Sequence, residues 1–290
     1  MIKLILISSL FLSFVASANN PLFWGADPSA IVAQDGRIFI YPTNDKKKWD
    51  DQKDWHVWSS SDLENWTDHG VIFDTTASKW GIDNAWAPDI AYKDGWYYFY
   101  YYFQNGKNIQ GGIGVAKSQN PEGPFTEVHG KMLVKGHDPA LFMDEDGTAY
   151  MYLQDKVHVL NPDMVTLKNQ KAIDIKLDYR PTKFEAAYAF KRKGIYYFTI
   201  ARDWNNLIYY TSDSPLGPFK YQGDFMRPYG GNNHHSIIEY EGNWIIFYHE
   251  WAPTESDKHN RRVRADYLHF NEDGTIKQVE ITERGIWKKK

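Results

Sequence analysis

Three carboxylates in this 290-residue chain share one spacing. Asp27, Asp138 and Glu185 each stand nine residues before a glycine, respectively Gly36, Gly147 and Gly194, and each glycine opens a short aromatic and β-branched run. Two related positions depart from the count. Asp89 precedes Gly95 by six residues, and His234-His235 precede Gly242 by eight and seven. Asp27-Pro28 and Asp138-Pro139 could simply cap turns that enter strands. Glu185 could not, because it lies in Phe184-Glu185-Ala186-Ala187-Tyr188 with no turn residue beside it. A glutamate among apolar residues at a strand start is costly to bury without a task. Converging acids in an aromatic-lined channel suit glycoside hydrolysis. One carboxylic acid protonates the leaving oxygen, and a carboxylate on the other face activates water. Acids on different structural units can stand about 6.5–9.5 Å apart, the inverting geometry. A third carboxylate nearby raises the acid's pKa by like-charge repulsion. The spacing does not say which carboxylate has which role.

The elements that must bring these residues together are written in the same repeat. Turns ending in Gly36, Gly95, Gly147, Gly194 and Gly242 each follow an apolar run and lead into an aromatic strand. An acidic or polar residue followed by Gly between apolar runs is a hairpin signal. The glycines are 59, 52, 47 and 48 residues apart, so the chain reads as five units of about four strands. Blade one shows the unit in full, with strands at Ala30–Ala33, Arg37–Tyr41, Trp55–Ser59 and Val71–Phe73. Helical periodicity is missing throughout the mature chain. The predicted fold is an all-β, five-bladed β-propeller, a single domain over residues 19–290, whose innermost strands line a central channel.

Composition bounds the function classes. The chain carries 12 Trp, 20 Tyr and 16 Phe, with 42% hydrophobic and 24% charged residues, enough for a sizeable core. A net charge of -4 gives no electrostatic footprint for nucleic acid. With no cysteine, thiolate nucleophiles, disulfides and cysteine-based zinc sites are excluded. Met1-Ile2-Lys3, the apolar stretch Leu4–Val15 and Ala16-Ser17-Ala18 have the three-part form of an export signal over residues 1–18. No later apolar run is long enough to cross a bilayer. An exported, periplasmic or extracellular monomer is expected, with an oligosaccharide or polysaccharide as its partner.

The ordered set of motifs resembles glycoside hydrolase family 43 across essentially the whole mature chain. It comprises Ala26-Asp27-Pro28, Trp86-Ala87-Pro88-Asp89, Asp138–Phe142 with Asp144–Gly147, and Glu185. It continues with Asn233-His234-His235-Ser236, the stretch from Arg261 to Leu268, and Asn271–Gly274. The resemblance implies inverting exo- or endo-glycosidases acting on arabinose- and xylose-containing polysaccharides, with some galactan-active members. It makes Asp27 the general base, Asp138 the residue that tunes pKa and orients, and Glu185 the general acid. Members often carry Glu-Gly-Pro or Glu-Ala-Pro at the acid, where this chain has Glu185-Ala186-Ala187. The pattern His-x-Ser selects His234, rather than His235, as a residue facing the axis and holding calcium, an ion the chemistry does not require. Arg261 matches an arginine that approaches both the sugar and the carboxylates. Trp86, Asp89 and Arg261 are expected to bind sugar, with Trp24 as a looser candidate. Most other aromatics are expected in the interblade core. The reading is an exo-acting β-xylosidase or α-L-arabinofuranosidase. A galactan-active member, a fructan-active relative and a non-catalytic sugar-binding propeller are its competitors.

Overall fold

The computed structural model describes residues 19–45, 51–104, 111–252 and 260–287. The expected export signal lies outside the described residues. The chain first lays down a short strand β1 (Phe23–Trp24), then four strands of one blade: β2 (Ala26–Val32), β3 (Ile38–Thr43), β4 (Asp54–Ser60) and β5 (Thr67–Asp74). Blade two holds β6 (Asp83–Lys93), β7 (Trp96–Gln104) and β8 (Gly112–Ser118), with β9 (Thr126–Glu127) and β10 (Val134–Lys135) both paired to β8. Blade three holds β11 (Pro139–Met143), β12 (Ala149–Leu153), β13 (Lys156–Val159) and β14 (Ile173–Asp174). Blade four holds β15 (Phe184–Arg192), β16 (Ile195–Arg202), β17 (Asn206–Ser212) and β18 (Lys220–Met226). Blade five holds β19 (His235–Tyr240), β20 (Asn243–Trp251) and β21 (Arg261–Leu268), and its outer strand is β1 from the other end of the chain. The innermost strands close a ring, β2 touching β6 and β19, β6 touching β11, β11 touching β15, and β15 touching β19. This is the expected five-bladed propeller, and no helix occurs among the described residues.

The five hairpin glycines have φ between 74° and 85°. A Cβ built on any of them would meet nothing within 4 Å. Glycine is therefore required by backbone conformation rather than by space. Asp94, Lys193 and Glu241, each just before its glycine, also have positive φ, the pairing of a tight two-residue hairpin turn. Blades one and three use a longer turn, in which Gly36 donates its N–H to the Ala33 carbonyl and Gly147 to that of Asp144.

The aromatic excess goes mainly between blades. Trp55, fully buried, meets Phe99 and Phe103 at ring-centroid distances of 5.3 and 5.0 Å, joining blade one to blade two. Tyr152, Phe198, Tyr210 and Phe219 do the same between blades three and four. Each such ring contributes roughly 1.5–3 kcal/mol by burial, so these contacts hold neighbouring blades in register and fix the positions of the inner strands.

Candidate active site

A β-bulge opens the inner strand in three blades. In blade one the ladder pairs Ala26 with Thr43 and resumes at Ser29 with Tyr41. In blade two it pairs Trp86 with Tyr102 and resumes at Asp89 with Tyr100. In blade four it pairs Glu185 with Ala201 and resumes at Tyr188 with Thr199. The residue after the last pair is left-handed each time: Asp27 at φ 48°, Ala87 at 29° and Ala186 at 56°. Asp138, just before β11, has φ 55°, and Asn232, before β19, has φ 53°. Every blade thus carries a left-handed residue in or just before its inner strand, blade two a second one at Asn84 (φ 57°), and such bends re-aim side chains. The equal count from the hairpin glycines conceals an offset. Glu185 occupies the register of Ala26 and Trp86, one residue earlier than Asp27, because the hairpins differ in length.

The three acids nonetheless line one cavity of about 250 Å³, together with Trp86, Tyr102, His137, His234 and Arg261. Asp27 is almost fully enclosed. Its Oδ1 accepts from Arg261 Nη1 at 3.1 Å and its Oδ2 from the Thr43 hydroxyl at 2.7 Å. Thr43 must donate there, since an ionised carboxylate can only accept, and its own oxygen accepts the Ala87 N–H at 2.8 Å. The backbone N–H of Asp27 donates to His249 Nδ1 at 3.1 Å, which fixes that nitrogen as an acceptor. Burial pushes His249 down to about 3, so the ring is neutral. Burial alone would raise the pKa of Asp27. The Arg261 charge, His234 and the Thr43 hydrogen bond overcome it, and the carboxylate is held well below the usual range.

Glu185 is the opposite case. Burial, with further contributions from Asp138 and Asp27, outweighs the pull of His234 and lifts its carboxyl to about 7. Its buried Oε1 has no hydrogen-bond partner among the described residues, and the residue lines the cavity. Asp138 is stabilised as the anion by His234 and His137 against the cost of burial. His137 Nδ1 lies 2.8 Å from Asp138 Oδ2, and this charge lifts the imidazole to about 9. His234 Nε2 lies 3.7 Å from Asp138 and 4.0 Å from Asp27, and the surrounding acids raise its pKa despite burial. His235 turns away toward blade four, with Nε2 2.6 Å from the Thr199 hydroxyl, and burial keeps it neutral. Of the two histidines, His234 is the one that stands beside the acids.

Two expected sugar contacts are placed elsewhere. Asp89 lines the narrow channel beneath the cavity rather than the cavity itself. One of its oxygens accepts from the Ser29 hydroxyl and the other from the Leu141 N–H, so the carboxylate ties three blade starts together. Trp24 stands on β1 at the rim of blade five, 56% exposed, beneath the Arg262 guanidinium, and does not reach the cavity. Trp86 does line it, stacked on Tyr102 with centroids 5.6 Å apart and planes 17° from parallel. Arg261 bridges Asp27 and Asp45, donating Nε to Asp45 Oδ2 at 3.0 Å and Nη2 to Oδ1 at 3.1 Å. Sequence reasoning missed Gln52, His137, Tyr102 and Asn232 on the walls, and Thr43, Asp45 and His249 behind them. His137 stood beside a singled-out acid, whereas the others carry no repeat signal.

Asp138, Glu185 and His234 offer ligand atoms within 4.8 Å of one another. Calcium takes six to eight oxygens, and this set supplies one imidazole nitrogen and two carboxylates. The void in the channel below is about 20 Å³, room for roughly one water. These residues do not by themselves make a calcium site.

Residues 18–276 match the family model for glycosyl hydrolases family 43. The chain is 33% identical to xylosidase/arabinosidase 43A of Humicola insolens, over 89% of this chain and 96% of that one. Among solved structures it resembles a β-xylosidase/α-arabinofuranosidase from a compost microbial metagenome, in complex with xylotriose and in a calcium-free form. That match has a TM-score of 0.81 and 30% identity over 91% of this chain and 96% of the other. An α-L-arabinofuranosidase of Clostridium thermocellum matches with a TM-score of 0.74 and 36% identity over 90% of this chain and 95% of its own. Fold, cavity and likeness agree: the chain belongs to glycosyl hydrolases family 43.

Proposed function

We propose that the protein is an inverting, exo-acting glycosidase that releases terminal xylose or arabinofuranose from oligosaccharides or polysaccharides. One observation carries the assignment of roles. Within one cavity, a carboxyl group lifted to about 7 faces another held firmly ionised. Environments that push two carboxylates apart in this way separate acid from base. Asp27, ionised at every working pH, accepts a proton from the attacking water. Glu185, protonated up to about neutral pH, gives its proton to the departing oxygen. Asp138 holds His137 and keeps the field negative around Glu185, which favours the protonated acid. Arg261 fixes Asp27 in place and neutralises its charge. Trp86, with Tyr102 behind it, offers an apolar face for the C–H side of a sugar. The cavity volume, near the lower end of about 300–1,000 Å³ for ligand pockets, suits one terminal residue.

The likeness to xylosidase/arabinosidase relatives supports this substrate class. The test is to follow hydrolysis of aryl β-xylosides and aryl α-L-arabinofuranosides by proton NMR. The first-formed sugar should have the anomeric configuration opposite to the substrate's. A retained anomer would refute the mechanism, and no release from either substrate would refute the activity. Export follows from the form of residues 1–18. Asn19 and Asn20 are tied through backbone N–H groups to the carbonyls of Arg284 and Glu283. The mature protein recovered from outside the cytoplasm should begin at Asn19, which mass spectrometry reads directly.

A further inference from the structure

Gln52, just before β4, is fully buried yet lines the cavity. Its backbone carbonyl accepts the Ala85 N–H at 2.7 Å, which anchors it to blade two. Its side-chain Nε2 donates to Asp45 Oδ1 at 2.6 Å. A carboxylate can only accept, so the amide cannot turn over, and Oε1 is the side-chain atom left without a donor. That oxygen is buried and has no hydrogen-bond partner among the described residues. A polar atom so placed is normally satisfied, which marks it as an acceptor awaiting an occupant. The chain Gln52–Asp45–Arg261–Asp27 sets it on the wall of the proposed base. The base works on the face of the sugar opposite the leaving group, so this wall meets the sugar that is released.

We propose that Gln52 is a specificity-determining residue whose Oε1 accepts a hydrogen bond from one hydroxyl of the terminal sugar. The inference rests on the glycosidase reading above and deepens it. Because the oxygen can accept but not donate, the site requires a hydroxyl proton at that position of the sugar. A fluorine there, which fills the space but carries no proton, is rejected as firmly as a hydrogen. A site built around a substrate hydroxyl discriminates against its absence because its own polar atom is then left unpaired.

The experiment measures inhibition constants for free xylose and arabinose, with their monodeoxy and monodeoxyfluoro analogues, against aryl glycoside hydrolysis. It uses the unmutated chain and Gln52→Met, with Gln52→Ala in reserve if the methionine variant is poorly folded by circular dichroism. At one hydroxyl, the deoxy and deoxyfluoro sugars should bind the unmutated chain roughly 10- to 100-fold more weakly. The same analogues should differ from the parent sugar less than about threefold in the variant, a threshold within the spread of a single weak contact. Equal weakening of all analogues by the variant would mean that Gln52 acts only by supporting Asp45, and would overturn the proposal. So would a fluoro sugar that binds as well as its parent at the position where the deoxy sugar fails. If the unmutated chain hydrolyses no aryl glycoside, the glycosidase reading itself fails and this inference falls with it.

Discussion

Glu185 carries most of the chemistry that a single side chain can report. Its folded pKa of about 7 lies above the ordinary 4.5. The folded state therefore binds the proton more tightly than the unfolded chain does. The stability this brings is complete below about pH 4.5 and is lost as pH rises through 7, by on the order of 3 kcal/mol. Glu185→Gln, which mimics the protonated acid, should be more stable than the unmutated chain at pH 8, with the gap closing by pH 4.5. Urea melts at the two pH values measure this, and a gap independent of pH would mean that the carboxyl is not held neutral by its surroundings. Asp27→Ala should lose activity on good and poor leaving groups alike, by roughly 10²–10⁴-fold, and azide should restore turnover by replacing the nucleophilic water. Failure of any small anion to rescue would count against Asp27 as the base. These two residues and Asp138 were legible in the sequence because a repeat marked them. Gln52, Thr43 and Asp45 were not: Thr43 and Asp45 meet partners in other blades, Ala87 and Arg261, and Gln52 carries no repeat signal. Asp89 was legible as an acid but not as a strut, because its partners Ser29 and Leu141 come from neighbouring blades.

At the scale of the strand and turn, sequence and structure agree where conformation is local. All five hairpin glycines were visible, and all five sit at positive φ with open space around them. Gly147→Ala should therefore cost only the conformational penalty, about 1–2 kcal/mol, and leave kcat/KM unchanged. A thermal melt and one rate measurement check both halves. A large loss of activity would mean that the turn communicates with the cavity. The bulges were not visible. Ala87 and Ala186 adopt left-handed conformations that alanine does not favour, and only the surrounding sheet imposes them. The sequence count placed Glu185 level with Asp27 because it could not see that the hairpins of blades one and four differ in length; the ladder sets Glu185 one residue earlier. Its longer side chain still reaches the same cavity.

The ring as a whole is closed by the two ends of the chain. β1 pairs with β21, Phe23 opposite Val263 and Trp24 opposite Arg262. Asn20 locks the seam, donating Nδ2 to the carbonyls of Ala265 and Thr282 and accepting the Ala265 N–H, each at 2.9 Å. Asn20→Ala strands these buried groups and should cost about 1–3 kcal/mol, read as a lowered urea midpoint. An unchanged midpoint would show that the seam does not limit stability. The five-fold repeat made the architecture readable, but nothing in the composition of Phe23-Trp24 announced a strand belonging to the last blade. Closure matters to function because the inner strands supply Asp27, Asp138 and Glu185 from three separate blades. The most direct test of that convergence is the pH dependence of kcat/KM on a glycoside with a poor leaving group. The unmutated chain should hold its rate up to about pH 7 and then fall tenfold per pH unit, as Glu185 gives up its proton. Glu185→Ala, assayed on an activated aryl glycoside, should show no such basic limb. A basic limb that persists unchanged in Glu185→Ala would contradict the assignment of Glu185 as the acid.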